Sequence, residues 1–323
     1  MSLPFLQGRR LRWLIASIIF AALSYLAFSL WVGWREVLAA FAAVGAMGVL
    51  AALGLSLMNY GLRFLRWQGF LAALGHPMPM PSSGLIYLAG FALTTTPGKA
   101  GELLRGVFLK QHGIPYTNST AAFLSERLSD LVAIVLLALI GATLYPQGGV
   151  LLWSGVAAVL LGLLLLTRAH QLLPWAERLS LRKDRLAQAA FHLIHLLSKA
   201  RACHRPRLLL WATALSLSAW AAEAYAFYLI LGWLGLEVSM PFAFSIYALS
   251  MLAGALSFLP GGLGGAEAVM VSLLLWAGMP EPGAVAATLI IRLATLWFAV
   301  ALGILSLMLG RVRLTTVEQG QTA

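Results

Sequence analysis

The sequence predicts an all-α polytopic membrane protein, with about six spanning helices and two re-entrant helical hairpins arranged as inverted repeats. Three observations carry this expectation. The 323 residues are 61% hydrophobic and 10% charged, whereas a soluble domain carries about 25% charged residues. Mean hydropathy is +0.87, and the apolar runs are helix length, without the alternation of a membrane barrel. Finally, two apolar stretches are interrupted by polar Pro-Gly breaks, Thr94-Thr95-Thr96-Pro97-Gly98-Lys99-Ala100-Gly101-Glu102 and Phe258-Leu259-Pro260-Gly261-Gly262-Leu263-Gly264-Gly265-Ala266-Glu267.

The elements follow in order. Arg9-Arg10-Leu11-Arg12 opens like a signal peptide, but the run from Leu11 to Val32 is span length and has no small-x-small cleavage signal, so it reads as an anchor. Gly33 to Glu36 is expected as an external turn. The second span starts at Val37 and ends near Trp67, with Arg63 and Arg66 three residues apart on one helix face. The arm from Ser82 to Leu93 would reach only ~18 Å as a helix, short of a ~30 Å hydrocarbon core. Pro97 ends it, and a new helix from about Gly98 would carry Lys99, Gly101, Glu102 and Arg105. Span three, Asn118 to Tyr145, contains Glu126, Arg127 and Asp130, and span four runs from Val150 to Thr167.

Residues from about 175 to 204 read as an amphipathic helix lying on the cytoplasmic face, with Leu186, Ala190, Leu193 and Leu197 opposite Arg185, His192 and Lys199. His192 and His195 have no carboxylate or thiol partner in the pattern, so no metal or other cofactor is expected. Span five, Leu208 to Leu234, carries Glu223. The second hairpin, Met240 to Gly278, turns at Pro260, Gly261, Gly262 and Gly264, and span six, Gly283 to Leu309, carries Arg292. The whole chain, 1–323, reads as one transmembrane domain, with repeat one at about 37–145 and repeat two at about 208–310.

The repeats rest on spacing. From Glu102 to Gly113, Pro115 and Arg127 the steps are 11, 2 and 12 residues, and from Glu267 to Gly278, Pro280 and Arg292 they are the same, an offset of 165. Ile86-Tyr87 echoes Ile246-Tyr247, and Leu74-Gly75 echoes Leu234-Gly235. The motifs Pro97-Gly98-x-x-Gly101-Glu102, Glu126-Arg127-x-x-Asp130, Leu259-Pro260-Gly261-Gly262-Leu263-Gly264-x-x-Glu267 and the late Arg292 resemble the flippase-like integral membrane family. That family is named for the transmembrane region of lysylphosphatidylglycerol synthases and the multiple peptide resistance factor. The resemblance covers about residues 11 to 310 and implies movement of lipid between leaflets. The aminoacyl-transferase domain of the synthases is not in this sequence, so lysyl-lipid synthesis is not implied.

The formal net charge of +11 does not indicate nucleic acid, because nine of the 22 Lys and Arg fall between Arg168 and Arg207 and others flank the first and last spans. This positive-inside bias predicts that both termini are cytoplasmic, and the resemblance implies a bacterial inner membrane. Ionisable residues inside spans face a cavity or a partner. Lys99 and Arg105 at a helix N-terminus, with Gly98 and Gly101 and with Arg63 and Arg66 at similar depth, form a candidate lipid-headgroup site. Glu102 with Arg127 and Glu267 with Arg292 are candidate buried ion pairs, and Glu126, Asp130 and Glu223 are accessory polar positions. The Gly-rich second tip lacks the lysine and hydroxyl of a P-loop and reads first as a tight turn. No nucleophile or metal cluster supports an enzyme. The favoured function is translocation of an anionic or phosphate-bearing lipid, with the bilayer and its lipid as partners. A secondary transporter, a glycosyltransferase or its accessory subunit, a neutral hopanoid-like cargo and a homo-oligomer stay open.

Overall fold

A computed structural model describes residues 34–96, 102, 105–140, 149–180, 185–257 and 259–320. The expected first span, the first hairpin tip from Pro97 to Gly101 and the turn at 145–148 lie outside them. The described helices are α1 (Trp34–Ala73), α2 (Met80–Phe91), α3 (Arg105–Gln111), α4 (Tyr116–Ile140), α5 (Gly149–Arg168), α6 (Leu173–Ser180), α7 (Arg185–Ala200), α8 (Pro206–Trp233), α9 (Met240–Leu256), α10 (Gly265–Trp276), α11 (Glu281–Arg292) and α12 (Phe298–Gly320). A short π-helical stretch, Leu293–Trp297, joins α11 to α12. Among them, Val37–Ala73, Gly149–Arg178, Pro206–Trp233 and Glu281–Leu309 are long and apolar enough to cross a membrane. The 25 residues of α4 reach about 37 Å, but it carries Glu126, Arg127 and Asp130 along its length. The protein is an all-α polytopic membrane protein.

The duplication is written into backbone hydrogen bonds. At the end of α3, Gly113 N–H bonds Lys110 O at 3.1 Å and Ile114 N–H bonds Leu109 O at 3.0 Å. At the end of α10, Gly278 N–H bonds Leu275 O and Met279 N–H bonds Leu274 O, both at 3.0 Å. Both closures need a left-handed residue, and Gly113 (φ 77°) and Gly278 (φ 89°) supply it. The same closure recurs with an offset of 160, His76 N–H to Leu71 O and Leu236 N–H to Leu231 O, each 2.9 Å.

The inversion is equally concrete. The equivalent helices α1 and α8 lie antiparallel along one another: a Cβ at Gly48 would meet Trp233 and one at Gly69 would meet Trp211, while Asn59 donates to Ala219 O at 2.8 Å and Arg66 to Ser216 Oγ. The first arm of each hairpin then packs against the last span of the other repeat. Ser306 of α12 donates to Leu85 O of α2 at 2.8 Å, and Gly303 abuts Ala92 just past α2. Ser245 of α9 reaches Ala138 O of α4 at 3.5 Å, and a Cβ on Gly155 of α5 would wedge between Leu252 and Val135. The second tip touches the end of the first hairpin's leading arm: a Cβ on Gly261 (φ 63°) would lie 3.3 Å from Thr95 Cα.

The structure corrects two expectations. Trp34 to Glu36 are the first turn of α1, not a loop, and α1 breaks instead at Gly45 (φ 66°, ψ 172°). The amphipathic segment of about 175–204 is two helices, α6 and α7, followed by a 3-10 turn at Arg201–His204. On α7, Ala187, Ile194 and Ala200 are buried against protein, while Leu186 and Leu193, of the stripe expected to face lipid, are 83% and 53% exposed. Its small residues let α7 pack against protein, and hydrophobicity alone cannot separate a protein-facing stripe from a lipid-facing one.

Candidate functional site

The interior of repeat one holds an ion-pair network contributed by α1, the residues leading into α3, and α4. Arg63 and Arg66, three residues apart on α1, both reach Asp130 of α4, with Arg63 Nη2 3.0 Å from Oδ2 and Arg66 Nη1 2.8 Å from Oδ1. Arg127 Nη2 lies 3.1 Å from the same Oδ2, and the Trp220 indole of α8 donates to Oδ1 at 3.2 Å. Asp130, which the sequence ranked as accessory, is therefore the hub. A second node forms around Arg105, whose Nη2 is 2.7 Å from Glu126 Oε2 and 3.2 Å from Glu102 Oε2. Arg127 approaches Glu102 more loosely, at 3.4 Å. Four guanidiniums against three carboxylates leave one net positive charge within this network.

Aromatic rings complete the wall. The Arg105 guanidinium lies 4.4 Å from the Trp67 ring centroid and 5.0 Å from that of Tyr87, and Arg63 lies 5.7 Å from Trp220. Such contacts stabilise a cation by about 0.5–2 kcal/mol, more when desolvated. Gly90 makes room for the Arg105 stem, since a Cβ there would meet Arg105 Cγ and Cδ at 2.8 Å. The sequence reading missed these rings. The available signal was Tyr60, Arg63 and Trp67 at spacings of three and four, which puts them on one face of α1.

Repeat two holds a leaner version. Arg292 Nε is 2.6 Å from Glu267 Oε1, and Glu267 Oε2 accepts Gly264 N–H at 2.7 Å, capping α10. Arg292 Nη2 donates to Gly261 O at 2.9 Å, tying span six to the second tip. Glu223, equivalent to Arg63 by the offset of 160, accepts the Tyr247 hydroxyl at 2.7 Å. The repeats have thus kept their backbone while placing opposite charges at one matched position.

Two cavities meet at these groups. A small one of about 50 Å³ is bounded by Arg63, Thr94, Glu102, Glu223 and Arg292. A larger one of about 370 Å³ is lined by Arg127, Asp130 and Arg292 together with Leu131, Ile134, Ala158, Leu256 and Leu259. Arg127 is 22% exposed, and its Nε has no hydrogen-bond partner among the described residues.

Of the sequence-nominated residues, the structure brings together Arg63, Arg66, Glu102, Arg105, Glu126, Arg127 and Asp130 in one network, and Glu267, Arg292, Gly261 and Gly264 in another. Arg66 is 0% exposed and lines neither cavity. Arg105 is sandwiched between carboxylates and rings instead of standing open at a helix tip. Pro97, Gly98, Lys99 and Gly101 lie outside the described residues. Pro260 and Gly262 form the short turn at the second tip. His192 and His195 pack on Phe191.

A chain of this build has named relatives. It is 29% identical over 299 residues, 86% of this chain and 88% of the relative, to a UPF0104 membrane protein of Methanothermobacter thermautotrophicus. A UPF0104 membrane protein of Pyrococcus horikoshii is 24% identical over 245 residues, 68% of this chain and 73% of its own. The family model described as the lysylphosphatidylglycerol synthase TM region matches residues 13–303. With nine-tenths of its length under that match, and the paired hairpins and their Glu–Arg contacts in place, the chain belongs to the lysylphosphatidylglycerol synthase transmembrane-region family.

Proposed function

We propose that this protein moves a phosphate-bearing lipid between the leaflets of a bacterial inner membrane, without covalent chemistry and with both termini in the cytoplasm. One observation carries the reading: the cavity of about 370 Å³ is lined mostly by apolar side chains and also by Arg127, Asp130 and Arg292, two guanidiniums against one carboxylate. A soluble solute has no use for so apolar a lining, whereas acyl chains match it and a phosphate matches the guanidiniums. Arg127 lines the cavity and its side chain is 22% exposed, so its guanidinium supplies a charge-assisted donor for a phosphate oxygen. The contact of the second tip with the first hairpin's leading arm, Gly261 against Thr95, supports a path from one hairpin to the other, as expected of inverted-repeat transporters.

Purified protein in liposomes should accelerate exchange of a headgroup-labelled phospholipid or polyprenyl phosphate between leaflets. Arg127→Gln should slow that exchange about tenfold or more, the loss of one charge-assisted hydrogen bond, while the protein stays folded. Transport of a soluble solute, with no acceleration across a panel of lipids by well-folded protein, would sink the proposal.

A further inference from the structure

A third cavity, of about 580 Å³, shares no lining residue with the other two and lies along the basic segment between Arg168 and Arg207. It is walled by the end of α5 and the head of α8, and floored by the 3-10 turn at Arg201–His204. Its contents divide by chemistry. Leu163, Leu166 and Leu209 give an apolar side belonging to two membrane-crossing helices, and Arg201 and Arg205 give a cationic mouth. Neither arginine has an ion-pair partner among the described residues, and no carboxylate lines the cavity. The first turn of α8 also has no side-chain cap, so its N–H groups add to the positive potential.

His204 refines the ligand. Its Nδ1 lies 3.0 Å from Ala200 O, and a carbonyl can only accept, so Nδ1 carries the proton and the neutral ring presents Nε2 as an acceptor. That Nε2 is buried and has no partner among the described residues. An anionic oxygen would meet the arginines well and Nε2 badly. A hydroxyl would suit Nε2 and use its lone pair.

We propose that this cavity binds a phosphate-bearing amphiphile with a hydroxylated headgroup. The phosphate sits between Arg201 and Arg205, the hydroxyl donates to His204 Nε2, and an acyl chain lies against Leu163, Leu166 and Leu209. The site is separate from the transport cavity, so it stands whether or not the transport reading does.

Native mass spectrometry of the full chain, exchanged from detergent into phosphatidylglycerol, phosphatidic acid or phosphatidylcholine, tests it. Phosphatidylglycerol should be retained in preference to both others, by at least about tenfold over phosphatidylcholine, in line with about 1 kcal/mol for each basic residue at a membrane surface. Arg201→Ala with Arg205→Ala should erase the preference over phosphatidylcholine, and the corresponding double Lys variant should keep most of it. His204→Phe, which keeps the ring, should remove only the preference over phosphatidic acid. Size-exclusion profiles report that each variant is folded. Equal retention of phosphatidylcholine, or an unchanged preference in the folded double Ala variant, overturns the site. Displacement of phosphatidylglycerol by millimolar inorganic phosphate overturns the amphiphile assignment in favour of free phosphate.

Discussion

Asp130 accepts from Arg63, Arg66 and Arg127 and from the Trp220 indole, so two repeats and three helices converge on a single carboxylate. Removing its charge leaves buried guanidiniums without a counter-ion, and breaking a buried pair this way costs about 3–5 kcal/mol. Asp130→Asn is therefore expected to lower the detergent melting temperature more than Glu126→Gln, because Arg105 retains Glu102. Equal melting of the two variants would show that Asp130 is not the hub. At the same scale, burial holds the His204 pKa below its usual value. A depressed histidine pKa means that the unfolded chain binds the extra proton first. Its contribution is present above about pH 6.5 and is lost as pH falls through the folded pKa. Thermal melts of wild type and His204→Phe should accordingly converge towards acid pH.

Elements show where the sequence was legible and where it was not. Both hairpins, their Gly-closed arms and the Glu–Arg spacing of 25 residues could be read, because short apolar arms and Pro-Gly breaks act locally. The partners in space could not. The spacing pairs Glu102 with Arg127, yet Arg105 stands closer to Glu102, at 3.2 Å against 3.4 Å. The cross-packing of α2 on α12 also has no local signature, since it depends on which helices neighbour one another. It does leave one residue under strong constraint: a Cβ on Gly303 would lie 2.1 Å from Ala92 N. Gly303→Ala must push the first hairpin away from α12, and overpacking of this kind costs about 1–3 kcal/mol or more. Gly61, in α1 with nothing within 4 Å of its Cβ position, is the control. Gly61→Ala should leave stability unchanged or raise it by up to about 1 kcal/mol through helix propensity. A Gly303→Ala protein that melts no lower than Gly61→Ala would contradict the close packing.

At the scale of the whole molecule, the antiparallel course of α1 and α8 has a consequence for sidedness. If helices equivalent by duplication run in opposite directions, every matched pair of positions lies on opposite faces of the membrane. Gln111 and Glu281 serve as reporters, since both are exposed and each lies beside the glycine turn that closes its hairpin, at Gly113 and Gly278. With the basic segment from Arg168 to Arg207 cytoplasmic, as the proposed topology has it by the positive-inside rule, the first turn would face the cytoplasm. Burial pushes the Cys203 thiol up to about 11 and removes most of its reactive thiolate, and replacing it removes the remaining background label. In a Cys203→Ala background, a membrane-impermeant maleimide should therefore modify Glu281→Cys in intact cells. Gln111→Cys should react only after the membrane is opened. Modification of both positions from one side would mean that the hairpins share an entrance, and the two leaflets would then lack the separate portals that lipid exchange through this fold requires.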